Sequence, residues 1–139
     1  MFRSILLLGA ACLISGAARA EMVPFSATLA GASEVPAKTT DGKGTAKASL
    51  DTATKMLTYD VEYAGLSGPA TAAHFHGPAE PGANAGVAVP FPTPANPIKG
   101  TATLTDAQMA DLMAGRWYAN VHTVANPGGE IRGQMTRGN

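Results

Sequence analysis

Residues that carry specific chemistry are scarce in this chain of 139 residues. It contains one cysteine and three histidines, aromatic residues make up 6% of it, and charged residues make up 14%. Ten basic side chains balance ten acidic ones, without a cluster of either sign. This balance excludes the electrostatic footprint of a nucleic-acid-binding protein. The 16 glycines and 10 prolines favour short elements joined by turns, and the length suits one domain.

The first twenty residues have the pattern of a secretory signal peptide. A positive start, Met1–Arg3, precedes an apolar stretch over residues 4–16, and Ala18 and Ala20 are the small residues that a signal peptidase reads. The apolar stretch is shorter than the ~20 residues that a transmembrane helix needs. We therefore expect cleavage after Ala20 and export to the periplasm or the medium.

Cleavage changes the chemistry that is available to the remaining residues 21–139. Arg3 and Arg19 leave with the signal, so 8 basic groups face 10 acidic ones and the net charge is −2. Cys12 leaves as well, which removes disulfide and thiolate chemistry from the exported protein. Cys12 lacks the upstream leucine of a lipoprotein signal, and no later hydrophobic stretch could span a membrane. We expect a soluble exported protein.

The mature chain reads as a single all-β domain. In residues 55–63, apolar side chains alternate with polar ones, which is the period of a strand with one buried face. Residues 44–63 form a predicted hairpin around a turn at 51–54. The other predicted strands are Phe25–Ala30, Ala70–His76, Gly86–Phe91, Ile98–Leu104, Arg116–Thr123 and Glu130–Thr136. Eight short strands at this spacing predict an antiparallel sandwich or barrel.

One short helix is predicted over residues 105–114. Thr105 and Gln108 have the spacing of a capping box, in which each side chain bonds the other residue's backbone. The apolar stripe of the helix consists of Met109, Leu112 and Met113. Methionines at helical spacing are far more often core residues than copper ligands, and we interpret them as core.

The three histidines carry the candidate chemistry. His74 and His76 are two positions apart on one predicted strand, so they share a face while Phe75 turns into the core. On the later strand, the alternation that buries Trp117 places His122 on the outer face. If the two strands are neighbours, the three imidazoles converge on one ion in a surface site.

A three-histidine site suits copper or zinc. Imidazole nitrogens bind these metals at ~2.0–2.1 Å and leave one position for water or a fourth ligand. The Irving–Williams order favours Cu(II) over Zn(II), so copper is the predicted metal and zinc the alternative. Such a site requires ring nitrogens within ~4 Å of one another. The opposing interpretation is three surface or hydrogen-bonded histidines without a ligand.

Other residues could support this site. Hairpin register predicts Glu130 close to Thr123 or His122, where it would either orient the imidazole or remain a solvated turn carboxylate. Asn120 shares the outer face with His122 and is the second predicted supporting residue. The segment 77–96 is rich in glycine, proline and alanine, and follows the histidine pair as a candidate lid or partner surface.

Several segments together resemble the CHRD domain, which was first described in chordin and is common in exported bacterial proteins. They are His74–Pro78, Gly86–Val89, Leu104 with the helix, Gly115–His122 and Asn126–Gln134. The resemblance covers about residues 23–136. It implies an extracellular module, but it does not require the growth-factor partner of chordin.

The histidine pattern is also similar to the copper half of copper/zinc superoxide dismutases. That resemblance implies a Greek-key β-barrel with His74, His76 and His122 as copper ligands. The chain departs from the pattern, since it has no fourth histidine to bridge to zinc, no zinc-binding loop and no disulfide. Arg132 is the one counterpart of the substrate-steering arginine, at a much shorter offset from His122.

Three functions follow from the sequence. The first is an exported CHRD-domain protein that binds copper for storage, delivery or tolerance. The second is an envelope or extracellular interaction module without a metal, which predicts dispersed imidazoles and an exposed apolar patch. The third is a dismutase-like redox enzyme, which 8 basic groups support poorly because superoxide needs a cationic approach. No nucleophile–base pair or cofactor fingerprint indicates another enzyme.

Overall fold

A computed structural model describes Gly16 and residues 19–138 of the chain. The predicted signal peptide, including Cys12, lies almost entirely outside the described residues, so its cleavage stays a prediction. The elements in chain order are β1 (Met22–Ala30), a 3-10 turn (Gly31–Ser33), β2 (Lys43–Asp51), β3 (Met56–Ala64), β4 (Ala70–His76), β5 (Val87–Pro90), β6 (Ile98–Thr103), α1 (Asp106–Met113), β7 (Tyr118–Thr123), β8 (Ile131–Gln134) and β9 (Thr136–Arg137).

The strands form one antiparallel sheet that curls into a nearly closed barrel. The order across the sheet is β5-β4-β7-β8-β1-β2-β3-β6, and β9 pairs with β1. The two halves of the sheet face each other across the core. Tyr59 of β3 packs edge-on against Phe75 of β4, with 5.4 Å between the ring centroids. Phe91 stacks on Tyr59 at 4.7 Å. The all-β, antiparallel sandwich or barrel predicted from the sequence is confirmed.

The alternation of the strands produces the core. Every second residue of β1 from Val23 to Leu29 is at most 8% exposed, and three of the paired residues of β2, Ala46, Ala48 and Leu50, are buried to the same degree. Period two allows this, because the residues between them face outward and are mostly polar. The remaining core side chains include Leu57, Val61, Phe75, Ile98, Trp117, Val121 and Ile131.

The helix closes one side of this core as predicted. The backbone N–H of Gln108 donates to Thr105 Oγ1 at 3.1 Å, and the Thr105 N–H donates to Gln108 Oε1 at 2.9 Å, which completes the capping box. Leu112 is fully buried, and Met109 and Met113 pack against the core. Within the described residues, no helix has the length and apolar character to cross a bilayer.

The pairing of β4 with β7 positions the histidines. In this antiparallel pair, His74 lies opposite Asn120, Ala72 opposite His122 and His76 opposite Tyr118. The two strands are separated by more than 40 residues in the chain, so their pairing cannot be predicted from local sequence patterns. The structure shows that they are neighbours, as convergence of the three imidazoles requires.

Candidate metal centre

The imidazoles of His74, His76 and His122 converge. Each offers one ring nitrogen, and these three atoms lie within 4.8 Å of one another. The shortest separation is 3.1 Å, between His74 Nδ1 and His122 Nε2. The sequence-based requirement was ~4 Å, so the cluster forms but is somewhat wider than a closed site.

The site is buried rather than superficial. His76 and His122 are each 9% exposed, and only His74 is half-buried. The surface location expected from the sequence is therefore wrong. All six residues of β7 are buried, because the loop after β4 and the turn after β7 fold over the outer face of the strand.

Backbone carbonyls fix the tautomers of two imidazoles. His122 Nδ1 lies 2.9 Å from the carbonyl oxygen of Pro127, and His76 Nδ1 lies 3.0 Å from that of Ala85. A carbonyl only accepts, so each Nδ1 carries the proton in the neutral ring and each Nε2 carries a lone pair. A metal would bind these Nε2 lone pairs. A histidine that binds a metal usually donates its other ring N–H to a carbonyl or carboxylate in this way.

His76 Nε2 has no partner in the free protein. It is buried, and no described residue makes a hydrogen bond to it. His122 Nε2 accepts from His74 Nδ1, and that contact has to open for both atoms to bind one ion. His74 is the ligand that can turn, because it is half-buried and no carbonyl of the described residues bonds its ring.

The surroundings favour the neutral form of His74 and His76. Burial lowers the pKa of His74 below its usual value, and repulsion from His122 and His76 lowers it further. Burial also lowers the pKa of His76, although its hydrogen bond to the Ala85 carbonyl opposes this effect. Neutral imidazoles are the metal-binding form, so protons compete weakly at neutral pH.

The separations suit a metal after a small contraction. With bonds of about 2.05 Å, two nitrogens at right angles around a metal are about 2.9 Å apart, and two opposite nitrogens are about 4.1 Å apart. The 3.1 Å separation of His74 and His122 fits the first distance. The limit of 4.8 Å exceeds the second by less than about 1 Å.

An aromatic and a cation hold the loop over the site. The ring of Tyr118 stacks on His76 at 4.8 Å, and the guanidinium of Arg132 lies 3.4 Å from the centre of the Tyr118 ring. Arg132 donates to Asn84 Oδ1 at 2.8 Å and to the carbonyl of Ala83. Ala85 donates its N–H to Tyr118 Oη at 3.1 Å. Sequence reasoning proposed a lid here but did not identify Tyr118 and Arg132 as its attachments.

Arg132 is unsuited to steering a substrate. The side chain is 2% exposed, and its N–H groups are occupied by the loop. An arginine that attracts an anion must present its charge to solvent near the metal. The dismutase resemblance therefore gains no support from this residue.

Glu130 has a structural role that differs from both interpretations of the sequence. It is fully buried, so the solvated turn carboxylate is wrong. It accepts from Thr40 Oγ1 at 2.9 Å and from the Ser67 N–H at 3.0 Å rather than from a histidine. Burial alone would raise the pKa of Glu130, but these hydrogen bonds outweigh it and hold the pKa below its usual value. Pro127 supplies the contact to His122 instead.

A second buried carboxylate, Glu34, was missed. It is 6% exposed and lies beside Asn120 and Arg132. Burial raises its pKa to about 7, against the opposing effects of the Arg132 charge, the Asn120 amide and the Lys38 charge. Glu34 lies in a loop without a recognisable motif. In the structure, Glu34 lies against Gly129. The φ of Gly129 is +124°, and its close neighbours leave no room for a side chain.

Comparison with known families agrees with the motifs. The family model of the CHRD domain matches residues 25–135, which is most of the chain and includes all three histidines. Neither the comparison with curated proteins nor that with solved structures gives a match. The chain belongs to the CHRD domain family.

Proposed function

We propose that this CHRD-domain protein is exported and binds a copper ion through His74, His76 and His122, for storage, delivery or tolerance. One observation carries the proposal: three buried or half-buried imidazoles converge, and carbonyls fix two of them with the proton on Nδ1 and the lone pair on Nε2. Histidines that cluster without binding a metal have no need for carbonyls that hold the proton on Nδ1 and leave Nε2 unprotonated.

The ligand set favours copper over zinc. At a site of three nitrogens, the Irving–Williams order places Cu(II) above Zn(II). A tetragonal Cu(II) site also accepts one pair of opposite nitrogens, which matches the wide limit of 4.8 Å better than a tetrahedron. Tetrahedral angles would bring all three nitrogens to about 3.3 Å of one another.

The surroundings of the site favour storage or delivery of the metal over catalysis. Arg132 is buried, and its guanidinium donates to Asn84 and Ala83 of the loop, so it presents no charge to an incoming anion. His74 is the half-exposed ligand, so it offers a route for exchange with a partner or chelator.

The interaction-module alternative has less support. It predicted dispersed imidazoles, and these converge. The exposed large hydrophobic residues are scattered: Met22, Met56, Val87 and Val124. A groove of about 860 Å³ does lie on the outer face of β1, β2, β3 and β6, but none of the histidines lines it.

Titration of the purified protein with Cu(II) and with Zn(II) at pH 7.5 tests the proposal. We expect one ion per chain, with tighter binding of copper, and loss of that binding in His76→Ala. A matched variant, Gln134→Ala, removes an amide on β8 that bonds only the Ala79 and Gly115 carbonyls, and should bind like the wild type. Equally weak binding by the wild type and His76→Ala would refute a histidine site.

A further inference from the structure

We propose that the side-chain oxygen of Asn120 is the fourth ligand of the ion, and that Glu34 holds the amide in the required orientation. This inference rests on the proposed metal site and extends it to a residue beyond the three histidines. The ligand is a divalent cation that accepts three imidazole nitrogens and one neutral oxygen.

The position of Asn120 places it among the histidines. It lies directly opposite His74 in the β4–β7 pair, and two residues before His122 on the same face of β7. Its side chain is 97% buried, since the residue is 3% exposed. A polar side chain at such a place normally satisfies its hydrogen-bonding groups.

Three buried side-chain acceptors are unsatisfied among the described residues, and two of them belong to residues of the β4–β7 pair that carries the histidines. Asn120 Oδ1 and His76 Nε2 are both buried, and neither makes a hydrogen bond with a described residue. In the β4–β7 pair, His76 lies opposite Tyr118, so Asn120 is its diagonal neighbour on the same face. Because His76 carries its proton on Nδ1, toward Ala85, no proton lies between the two acceptors in the neutral protein.

The other end of the amide fixes its orientation. A side chain added at Gly129 would overlap Glu34 Oε1 and would lie 2.6 Å from Asn120 Nδ2, so the carboxylate and the amide nitrogen both face this glycine. Glu34 Oε1 is buried and has no hydrogen-bond partner among the described residues, which leaves it able to accept from the amide nitrogen. With the nitrogen turned to Glu34, the oxygen turns to the histidines.

A cation resolves the conflict between the two acceptors. Two buried lone pairs without a donor are unfavourable, and a metal ion between them would satisfy both. An amide oxygen binds at about the carboxylate distance of 2.0–2.2 Å and adds no charge. It would complete a site of three nitrogens and one oxygen, the position that three-histidine sites otherwise leave to water.

Substitution of Asn120 tests this role in the full protein. We expect Asn120→Leu to weaken Cu(II) binding about 10–100-fold, as loss of a supporting group does, while one ion per chain still binds. Water should then take the vacated position, so ENDOR of the Cu(II) form should gain strongly coupled exchangeable protons that the wild type lacks. Gln134→Leu makes the same chemical change on β8 and should leave both readouts unchanged.

The outcomes separate this inference from the proposed function. If the wild type binds no ion, the metal site itself is refuted. If the wild type binds and Asn120→Leu gives the same affinity and ENDOR spectrum, only the role of Asn120 is overturned.

A double variant covers the case in which Asn120→Leu does not fold. When Asn120→Asp is combined with Glu34→Gln, the amide and the carboxylate exchange places. The amide introduced at position 34 then donates to the carboxylate introduced at position 120, and an oxygen still faces the histidines. We expect this double variant to bind at least as tightly as the wild type. Binding as weak as that of His76→Ala would overturn the assignment.

Discussion

His74 Nδ1 lies 3.1 Å from His122 Nε2, although the two residues are 48 positions apart in the chain. Pro127 holds the proton of His122 on Nδ1, so the hydrogen between the two rings belongs to His74. The free protein therefore closes part of its own metal site with a hydrogen bond. An ion that binds both nitrogens therefore requires the other tautomer of His74, with the proton on Nε2.

Metal affinity should resist moderate acid. Protons compete with a metal only below the imidazole pKa, and those of His74 and His76 lie below the usual 6.5. Each protonating ligand costs up to about tenfold in affinity per pH unit. Because two of the three ligands are held neutral, we expect the Kd for Zn(II) to rise by less than about tenfold between pH 7.5 and 6.5 and more steeply as the pH falls further. A rise of more than about tenfold between pH 7.5 and 6.5 would contradict the lowered pKa values of His74 and His76.

Gly129 should be essential to both the fold and the site. Its φ is +124°, and a methyl group there would overlap Glu34 and approach Asn120. Gly129→Ala should lower the free energy of unfolding by about 2–4 kcal/mol, from backbone strain and steric overlap. Urea denaturation measures this. Gly128→Ala is the control, because nothing lies within 4 Å of the added methyl group, and it should stay within about 1 kcal/mol.

Local pattern explains which parts of the fold are visible in the sequence. Period two in β3 and β4 and the capping box at Thr105 depend on neighbouring residues, and the structure reproduces them: β4 is Ala70–His76, as predicted. The predicted last strand instead divides into β8 and β9, because the N–H of Met135 bonds the Trp117 carbonyl at 2.9 Å. That contact depends on a distant part of the chain, and no local pattern encodes it.

The candidate site was only partly predictable for the same reason. The strand period placed His74 and His76 on one face, but their convergence with His122 required the β4–β7 pair. Hairpin register suggested Glu130 as the support for His122, yet the turn brings the Pro127 carbonyl to that nitrogen. Glu34 approaches Asn120 from a loop 86 residues away in sequence, and no spacing rule connects them.

Neutralising Glu34 should stabilise the protein above neutral pH. The pKa of Glu34 is raised from 4.5 to about 7 in the folded state, so its favourable contribution is complete below about pH 4.5 and is lost as the pH rises through 7. Glu34→Gln keeps a neutral side chain. We expect its free energy of unfolding to match the wild type at pH 5 and to exceed it by about 1–3 kcal/mol at pH 8.

Chemical denaturation of the wild type and Glu34→Gln at pH 5 and pH 8 measures the difference in their free energies of unfolding. The histidines titrate in both proteins, so their contribution cancels in this difference. The exposed Glu62→Gln on β3 is the control and should stay within about 0.5 kcal/mol of the wild type. A gain from Glu34→Gln that is equal at pH 5 and pH 8 would contradict the raised pKa of Glu34.

Export can be tested independently of metal binding. If the first twenty residues are a signal peptide, expression in a bacterial host should yield protein outside the cytoplasm that begins at Glu21. Intact-mass measurement of the periplasmic and medium fractions identifies this end. Ala20→Arg places a large charged residue before the cleavage bond and should leave the signal attached. A cytoplasmic chain that retains Arg3 and Cys12 would refute export.

Arg132 should hold the loop over His76 more firmly than a lysine can. Its planar guanidinium stacks on Tyr118 while it donates to Asn84 and Ala83, and lysine offers neither the plane nor the paired donors. Arg132→Lys should cost about 1.5–3 kcal/mol, the value of hydrogen bonds to a charged group. Hydrogen exchange should show the loss locally, with faster exchange of the Ala85 N–H, which bonds Tyr118.

The matched control for Arg132→Lys is Arg137→Lys. The Arg137 side chain is half exposed, and its ion pair with Glu21 is long, at 4.0 Å. It should leave exchange in the loop unchanged, because exposed ion pairs contribute little. If Arg132→Lys accelerates exchange equally in β1 and β2, the residue stabilises the barrel as a whole. The loop would then owe its position to Tyr118 and His76 alone, and Arg132 would have no particular link to the metal centre.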